Sequence, residues 1–309
     1  MAPLVPLPTP FGYSLPERLA IGVSERTSGP TPTLQLFNAW AQPTKGFASI
    51  DKDYPEGNPL FRVVVDYLSP SSIEAFELCE RRWGWVKLNR QPKQTSEAAD
   101  EGSAVHRAHD DWLTKGIPYD RTTRIGEIAA CTLHLLPDPG SCVVEVEVRF
   151  TYAGIVFGGK IDVHWPEPDF VVILDHKTTG DFQWAKTTKE ELIGHPQAPI
   201  YAAWGMAYYG KSWAHLRWNY ALRAKQPKPK PSWHLVHESE VKPAIDAHIP
   251  TARRMLQVIE HANSERARGR MFGARDLPAN PRACQAYGGC VHRKLCGIDT
   301  GDALSSVSL

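Results

Sequence analysis

The chain has 309 residues, of which 42% are hydrophobic and 22% are charged, values typical of a soluble globular protein. At about 150 residues per domain, this length corresponds to one large domain or two smaller ones. Lys and Arg total 35 and Asp and Glu total 34, giving a net charge of +1. This balance excludes a globally basic nucleic-acid-binding protein, although it leaves room for a local basic groove.

The sequence also lacks the features of exported and membrane-spanning proteins. No apolar run approaches the roughly 18 residues that a membrane-spanning helix requires. The N-terminus is interrupted by prolines and has no charged segment before an apolar one, which is unlike a signal peptide. We therefore expect a cytoplasmic protein that has no membrane association.

Proline is concentrated at the N-terminal end of the chain. Ten of the 26 prolines lie among the first 60 residues, and helices and central strands tolerate few of them. We predict an irregular arm over residues 1–66, packed on the main body through Leu36, Phe37 and Trp40. Residues 67–300 then form the principal domain.

Two helices are predicted after this arm. The spacing of apolar residues predicts one helix over residues 73–88, with Ser69 as its N-cap, and a second over residues 102–113. Cys79 lies in the first of these helices and His106 in the second.

A change to alternating apolar and polar residues predicts strands next. Residues 144–150, 155–165 and 170–175 are joined by short turns, which is typical of an antiparallel meander. We expect the pair Gly158-Gly159 to form a β-bulge. The later elements are predicted to be a helix near 199–209, a strand over 215–222, an exposed loop over 227–231, and a helical region over 241–260 that is kinked or broken at Pro250. The order predicts an α/β fold with a mixed sheet.

Two acidic residues are expected to meet on the second and third strands. Asp162 and Asp175 can face each other across the strand pair, and neighbouring carboxylates repel unless a cation such as Mg²⁺ or Mn²⁺ lies between them. Lys177 points to the same side as Asp175 because side chains in a strand repeat every two residues. It could position or deprotonate a water, or neutralise charge on a phosphorane. A strand ending in Asp-x-Lys is common, so the joint placement is what indicates metal-assisted phosphodiester hydrolysis.

Cysteines are clustered in a glycine-rich tail. Three of them lie within 13 residues of one another: Cys284, Cys290 and Cys296. A tetrahedral zinc site or an iron–sulfur cluster needs a fourth ligand, for which Cys79 is the natural candidate and His292 the alternative. Cys131 and Cys142 are predicted to be buried bystanders. Spacing alone leaves both zinc and iron–sulfur open.

One segment of the chain is basic and aromatic. No Asp or Glu occurs between Leu192 and His237. Lysines and arginines alternate there with Trp213, Trp218, Tyr220 and Trp233. In nucleic-acid-binding grooves, such basic side chains contact backbone phosphates and such aromatic rings stack on bases. We predict DNA contacts from Lys211, Arg217, Arg223 and Lys225. For Lys228 and Lys230 a solvated loop is an equally good interpretation, and the groove could extend to Arg81, Arg82 and Arg90.

Together these motifs resemble the PD-(D/E)XK nuclease superfamily, and specifically its RecB/AddB-like branch of bacterial recombination nucleases, CRISPR-associated exonucleases and phage-encoded relatives. The resemblance covers about residues 67–297. Each motif alone is weak, but the set is strong in its order: an opening helix that contains the first cluster cysteine, Cys79 (SSIEAFELC), G-x-x-x-H ending at His106 (GSAVH), Asp162, the (D/E)-x-K signature Asp175-His176-Lys177, Q-x-x-x-Y from Gln197 to Tyr201 (QAPIY), and the C-terminal cysteines.

The resemblance implies a restriction-endonuclease-like core, in which helices flank a mixed central sheet. A cysteine-ligated lobe would join the N- and C-terminal parts of that core. The implied active site has Gln197 and Tyr201 at its border and Lys177 as the assisting cation, and its Mg²⁺ or Mn²⁺ ligands are His106, Asp162, Asp175 and the backbone carbonyl of His176. The resemblance also favours a 4Fe–4S cluster over zinc, bound by Cys79, Cys284, Cys290 and Cys296.

Two features depart from the family pattern. The last three cysteines are usually spaced C-x2-C-x5-C, whereas five residues separate Cys284 from Cys290 here. A Gly-Gly pair in this gap could turn the chain back toward one metal. Pro199 lies within the Q-x-x-x-Y motif and is acceptable only in a first helical turn, so Gln197 must lie at a helix start.

The implied function is a divalent-metal-dependent DNA exonuclease in recombination, repair or phage DNA metabolism, in a bacterial or phage-infected cell. The sequence has no G-x-x-x-x-G-K-[ST] motif, so unwinding would need a helicase or recombination partner protein. Single strands and free DNA ends are therefore the easiest substrates.

Alternatives remain for the function and for one ligand. The chain could be a non-catalytic DNA-end-binding or adaptor protein, or a structure-specific endonuclease. Intact Asp162, Asp175 and Lys177 favour an enzyme. If His106 is a core histidine, then His109, three residues later, is the next candidate ligand.

Overall fold

The computed structural model describes residues 62–92 and 96–297, with the side chains of 285–288 excepted. The predicted arm, including Leu36, Phe37 and Trp40, lies almost wholly outside these residues. The helices and strands follow in chain order: α1 (Pro70–Leu78), α2 (Glu80–Lys87), α3 (Glu97–Lys115), α4 (Arg124–Cys131), β1 (Val143–Tyr152), β2 (Ile155–Pro166), β3 (Val171–Thr179), α5 (Lys189–Ile193), α6 (Gln197–Tyr209), β4 (Trp213–Leu222), β5 (Pro229–His237), α7 (Glu238–Ala267) and α8 (Arg293–Cys296).

The strands form one five-stranded sheet in the order β1-β2-β3-β4-β5. Strands β1, β2 and β3 are antiparallel neighbours, as predicted. Strand β4 is parallel to β3, and β5 is antiparallel to β4. The parallel pair requires a crossover connection, which α5 and α6 provide. The predicted α/β fold with a mixed sheet is therefore confirmed.

The sheet is packed on both faces. The largest hydrophobic cluster joins it to α6 and α7, and two smaller clusters lie under α3 and α4. Residues 198–206 of α6 are all buried, as expected for a helix at the centre of a core. No helix within the described residues has the length and apolar character needed to cross a membrane.

The opening helix of the prediction is two helices. Cys79 interrupts it with an extended backbone (φ −166°, ψ 110°) and serves as the N-cap of α2. Ser69 caps α1, as predicted, and its side chain accepts a hydrogen bond from the Ser72 N–H. The break is stabilised from a distant part of the chain, because the backbone N–H of Asn280 donates to the Cys79 sulfur at 3.4 Å.

The predicted bulge at Gly158-Gly159 is wrong. These glycines pair in register with Arg149 and Val148 of β1. Their lack of a side chain instead allows neighbouring groups to approach the β2 backbone closely. A Cβ atom on Gly158 would lie 2.6 Å from the Val148 carbonyl oxygen, and one on Gly159 would lie 2.5 Å from the Tyr201 hydroxyl.

Three further boundaries differ from the prediction. Helix α3 begins at Glu97, five residues early, because Ser96 caps it. Residues 229–231, predicted as exposed loop, begin strand β5, which lies at the edge of the sheet, where proline is tolerated. Helix α7 is one helix through Pro243 and Pro250, so of the predicted kink or break at Pro250 the break is wrong. Its apolar residues stay buried on both sides of that proline, and this packing offsets the lost hydrogen bond.

Candidate active site and cysteine cluster

Three side chains form a closed network of one ion pair and two hydrogen bonds at the end of β3. The carboxylate of Asp175 is buried, and its Oδ2 lies 2.5 Å from Lys177 Nζ. Its Oδ1 accepts a hydrogen bond from Gln197 Nε2 at 2.5 Å. Lys177 Nζ in turn donates to Gln197 Oε1 at 3.0 Å. We call these three residues the Asp-Lys-Gln network. It orients both the carboxylate and the ammonium group.

Gln197 reaches this network because it is the first residue of α6. Pro199 lies in the first turn of that helix, where its missing N–H costs nothing. The prediction that Gln197 lies at a helix start is confirmed. One turn later, the buried Tyr201 donates its hydroxyl hydrogen to the backbone carbonyl of Lys160 at 2.9 Å. The Q-x-x-x-Y segment thus connects α6 to both β3 and β2.

Asp162 lies on β2, beside this network. Its Oδ2 accepts a hydrogen bond from the His176 backbone N–H at 2.9 Å and lies 3.4 Å from His106 Nδ1. His106 comes from α3, so the helix, β2 and β3 all contribute to one site. The structure brings together every residue predicted for the metal and catalytic site.

Burial and mutual charge set the protonation states. Burial raises the pKa of Asp162, and the neighbouring Asp175 carboxylate raises it further. Burial lowers the pKa of Lys177, but Asp175 and Asp162 outweigh it, so the lysine stays protonated. Burial also lowers the pKa of His106, which favours the neutral imidazole that binds metals.

The other two histidines of this region lie in the core. The ring of His176 is buried and stacks on His109 with 4.2 Å between ring centres. The ring nitrogens of His109 share hydrogen bonds with the Tyr119 hydroxyl (2.8 Å) and the Thr132 hydroxyl (3.3 Å). Burial lowers the pKa of His109 to about 3. Since both of its nitrogens are engaged, His109 is a poor alternative to His106.

A cleft of about 620 Å³ opens between α3 and the end of the sheet, next to these residues. A Cβ atom on Gly102 would lie 2.9 Å from the Thr178 hydroxyl, so this glycine lets α3 and β3 approach closely. From α3 the cleft is lined by Ala98, Ala99, Gly102, Ser103, His106, Arg107 and Asp110, and from the sheet by Glu145, Lys160, His176, Lys177 and Thr178.

Two of these cleft residues, Asp110 and Lys160, escaped the sequence reasoning, whereas Glu145 was considered as support for a second metal and not counted as a ligand. Asp110 lies one helical turn after His106, so the spacing could have placed it on the same face. Lys160 precedes Asp162 by two residues, which also indicates a shared side. Glu145 forms an ion pair with Lys160. Its backbone is left-handed (φ 56°), a conformation that the sequence pattern did not predict.

The donor set fits a hard divalent cation. Two neighbouring carboxylates and a neutral imidazole are suitable ligands. Burial and, second, the Asp175 carboxylate raise the pKa of Asp162, and a bound cation would offset both effects. Across residues 62–92 and 96–297, however, no group of three or more His, Cys, Asp or Glu is already spaced to hold a metal ion. Both Asp175 oxygens are instead engaged by Lys177 and Gln197.

The four predicted ligand cysteines surround a second, much smaller cavity of about 10 Å³. We call Cys79, Cys284, Cys290 and Cys296 the cysteine cluster. Burial raises the pKa of Cys284, and the other three thiols of the cluster raise it further. Of the described residues that line this cavity, none is His292, so Cys79 is the better fourth candidate.

Backbone geometry and N–H donors support this arrangement. Gly289 has φ 109°, and the Cys290 N–H donates to the Cys284 carbonyl at 3.0 Å, so the chain turns back as the Gly-Gly pair suggested. The Trp85 indole N–H donates to the Cys296 sulfur at 3.1 Å. The backbone N–H groups of Arg82 and Asn280 donate to the Cys79 sulfur.

Cys131 and Cys142 lie elsewhere. Each is partly buried, in a different hydrophobic cluster. Burial raises the pKa of both thiols to about 11. They pack as bystanders, as predicted.

The basic residues predicted to bind DNA are spread along β4: Arg217 lies in the middle of the strand, and the other three lie beyond its two ends. In the β3–β4 register Val171 pairs with Ala214 and Lys177 with Tyr220. Lys211 therefore precedes β4 at the end away from Lys177, while Arg223 and Lys225 follow β4 at the near end.

Three of the four residues have other partners, and Lys211 donates to the Pro168 carbonyl at 2.6 Å. Arg223 forms an ion pair with Glu101 at 3.4 Å. The Arg217 guanidinium lies over the rings of Trp165 and Trp233, at 5.3 and 4.8 Å. Trp218 and Tyr220 are 1% and 5% exposed, so neither ring offers a face to a base. DNA contact by the four basic residues stays a prediction.

Comparison with known proteins identifies the family. Among solved structures, a candidate exonuclease from Eubacterium rectale aligns with 78% of this chain and 94% of its own, at 14% identity and a TM-score of 0.47. The protein SSO0001 aligns with 76% of this chain and 87% of its own, at 12% identity and a TM-score of 0.37. A search of curated proteins gave no match. A family model described as the PD-(D/E)XK nuclease superfamily matches residues 127–297, more than half of the chain and the part that contains Asp162, Asp175 and Lys177. The chain belongs to the PD-(D/E)XK nuclease superfamily.

Proposed function

We propose that this nuclease is a divalent-metal-dependent DNA exonuclease that hydrolyses phosphodiester bonds on single strands or DNA ends. The observation that carries the proposal is the Asp-Lys-Gln network, which lies beside Asp162 and His106 at a cleft of about 620 Å³. The superfamily implies DNA as the substrate.

The metal would be Mg²⁺ or Mn²⁺, which superfamily members generally use. Its ligands would be Asp162, Asp175, His106 and the backbone carbonyl of His176. When bound, such an ion polarises the phosphate and lowers the pKa of a coordinated water. The carboxylates supply the negative charge that keeps it in place, and the neutral His106 supplies a lone pair.

Lys177 acts as a fixed positive charge. Its raised pKa keeps the ammonium protonated at neutral pH, so it is a weak base toward the attacking water. It stabilises the extra negative charge that develops on the phosphate oxygens in the transition state. Asp175 holds this ammonium in place at 2.5 Å.

Gln197 and Tyr201 are positioning residues. Gln197 holds the carboxylate of Asp175 and the ammonium of Lys177 in one geometry. Tyr201 fixes the start of α6 against β2 through the Lys160 carbonyl. Precise placement of catalytic groups contributes strongly to rate, because small displacements are costly.

The cysteine cluster would bind a structural 4Fe–4S cluster, with zinc as the alternative, as in the RecB/AddB-like branch. The donor chemistry supports either group, since four thiols line one cavity and three N–H groups donate to two of the sulfurs, although these thiols are not yet at metal-binding distances among the described residues. The cavity holds only about one water-sized particle, so metal analysis must separate one zinc from four irons.

In the cell, we place this activity in recombination, repair or phage DNA metabolism, together with a helicase or recombination partner that supplies unwound ends.

The direct test uses purified full-length protein with Mn²⁺ on end-labelled linear DNA, single-stranded and double-stranded. We expect nucleotides or short products released from the ends of single strands, and none when EDTA is present. Circular single-stranded DNA is the matched control, because only an endonuclease cuts a substrate without ends. Cleavage of circles would replace the exonuclease assignment by an endonuclease, and intact linear DNA would leave only a DNA-binding role.

A further inference from the structure

One tryptophan lies exposed just beyond the catalytic strand. Trp184 is 73% exposed, more than any other large hydrophobic side chain in the described part of the chain. It is the last residue of a 3-10 turn, Phe182–Trp184, that begins three residues after β3 ends. Only six residues separate it from Lys177. A single exposed apolar residue is unremarkable by itself, so its support and surroundings decide its meaning.

The backbone on both sides of Trp184 is firmly held. The Asp181 carboxylate accepts hydrogen bonds from the Gln183 backbone N–H (2.8 Å) and side-chain amide (3.1 Å). The Thr179 hydroxyl donates to the Asp181 carbonyl at 2.6 Å. After the turn, Ala185 is buried, and the Lys186 N–H donates to the Tyr220 hydroxyl at 3.1 Å. The turn thus presents an indole on a supported backbone.

Cationic side chains lie near this turn, although its own Asp181 is acidic and Arg223 is paired with Glu101. The ammonium of Lys230 lies 5.4 Å from the centre of the Phe182 ring. The guanidinium of Arg223 lies close to Gly180: a Cβ atom added to Gly180 would be 3.8 Å from Arg223 Nη2. The charges of Lys186 and Lys177 both lower the pKa of Glu74, after the larger effect of its hydrogen bond with His195, so the two lysines lie near the same carboxylate.

We infer that Trp184 is a stacking platform for an unpaired base of single-stranded DNA whose scissile phosphate lies at Asp175 and Lys177. This inference rests on the proposed function. An unpaired base exposes its aromatic faces, whereas a base inside a duplex has both faces covered by its neighbours. Stacking on an indole is tolerant of sequence, and the cations around the turn complement the phosphates on either side of the stacked base.

Steady-state kinetics on a single-stranded oligonucleotide provide the first test. Trp184→Ala should raise KM about tenfold or more, the size expected for one lost base–aromatic stack, and leave kcat near the wild-type value. Trp184→Phe should recover most of the affinity. The matched control is Tyr208→Ala, because Tyr208 is also exposed (51%) but lies at the far end of α6 from Gln197. An unchanged KM in Trp184→Ala would overturn the platform.

Substrates that lack one base locate the stack. An abasic nucleotide is moved along the strand, and one position should raise KM for the wild type but have no further effect on Trp184→Ala. Equal sensitivity of both proteins at every position would contradict stacking on Trp184. A KM increase of the same size on blunt duplex DNA would overturn the single-strand assignment.

Failure of the proposed function gives a different result. If the wild-type protein cleaves no DNA, fluorescence anisotropy of a labelled single strand still measures binding without turnover. A loss of affinity of about tenfold in Trp184→Ala would then support the platform on a non-catalytic protein, and an unchanged affinity would reject it.

Discussion

The candidate active site and the cysteine cluster are assembled in different ways. Asp162, Asp175 and Lys177 lie within 16 residues of one another, on two strands joined by a short turn. The cysteine cluster joins Cys79 to a segment that begins 205 residues later in the sequence. The first site is thus placed by local strand pairing, and the second by contacts between the two ends of the described chain.

This difference predicts different consequences of mutation. The side chains of the candidate active site project from a sheet whose two faces are packed by hydrophobic clusters. Removing one of these side chains should therefore affect catalysis more than folding. The cysteine cluster connects the junction of α1 and α2 to the C-terminal segment. A metal bound by both parts would close a loop of about 205 residues. Its loss should affect folding first and activity only as a consequence.

The largest expected effect is the loss of cleavage when the active site is altered. Lys177→Gln keeps a hydrogen-bond donor near Asp175 but removes the positive charge, and we expect cleavage to fall by about 1000-fold or more. Asp162→Ala and Asp175→Ala should be as severe, and the combined loss should be much less than the product of the single losses. Single-turnover cleavage of labelled DNA measures this effect, with circular dichroism as the check on folding.

Lys160→Ala is the matched control for this prediction. Lys160 lines the same cleft and lies two residues before Asp162, but its ammonium pairs with Glu145 and its side chain is 55% exposed. We expect a loss of only a few-fold. If Lys177→Gln and Lys160→Ala lose the same modest amount of activity, the Lys177 assignment is wrong.

The next largest effect should be a loss of stability at the cysteine cluster. Cys79→Ser should release the bound metal and lower the free energy of unfolding by several kcal/mol, as estimated for the closure of a long loop. Serine is itself a good N-cap, so α2 keeps its cap and the change reports on the metal. Metal analysis and urea unfolding are the measurements, with about four irons per chain expected for a 4Fe–4S cluster.

Cys131→Ser and Cys142→Ser are the controls, since both thiols pack in separate hydrophobic clusters. Neither should change the metal content. A colourless protein with one zinc would keep the structural role and remove iron–sulfur. Full metal content in Cys79→Ser would show that Cys79 is no ligand and would point to His292.

The sequence was sufficient to predict that the candidate active-site residues lie together, because their placement follows from local rules. Strand periodicity placed Asp175 and Lys177 on one side, the antiparallel meander placed Asp162 nearby, and the restriction on proline placed Gln197 at the start of α6. Each of these inferences depends on a few neighbouring residues. The family resemblance supplied the rest of the ligand set.

Features that depend on distant contacts were missed. The break at Cys79 is invisible to periodicity because apolar residues continue on both sides of it, while the stabilising N–H comes from Asn280. Strand β5 begins with prolines that imitate a loop, and only its place at the sheet edge makes them acceptable. The exposure of Trp184 depends on the turn that carries it, for which the sequence has no regular signal.

A smaller effect is expected within the active site itself when Gln197 is changed. Gln197→Ala leaves the Asp175–Lys177 ion pair intact but removes the two hydrogen bonds that orient it, so kcat should fall about 10- to 100-fold with little change in KM. Gln197→Glu keeps an acceptor for Lys177 but places a third carboxylate beside Asp175. We therefore expect a larger loss for Glu than for Ala, and the reverse order would contradict a donor role for Gln197.

The smallest effect should separate the two ends of the basic segment. The register of β3 and β4 puts Trp213, the first residue of β4, about 23 Å from the level of Lys177 along the strands. Lys211 precedes Trp213, and its ammonium donates to the Pro168 carbonyl at 2.6 Å. Lys225 is exposed and follows β4 at the near end. A strand whose scissile phosphate lies at Lys177 passes the near end first, so Lys225→Glu should weaken DNA binding several-fold at low salt. It should also reduce the slope of log K against log salt by about one phosphate contact. Lys211→Glu makes the same change of charge at the far end and should leave both quantities close to wild type. Equal losses in the two variants would mean that bound DNA spans the length of β4, and a loss in Lys211→Glu alone would place the binding groove at the end of the sheet away from the Asp-Lys-Gln network.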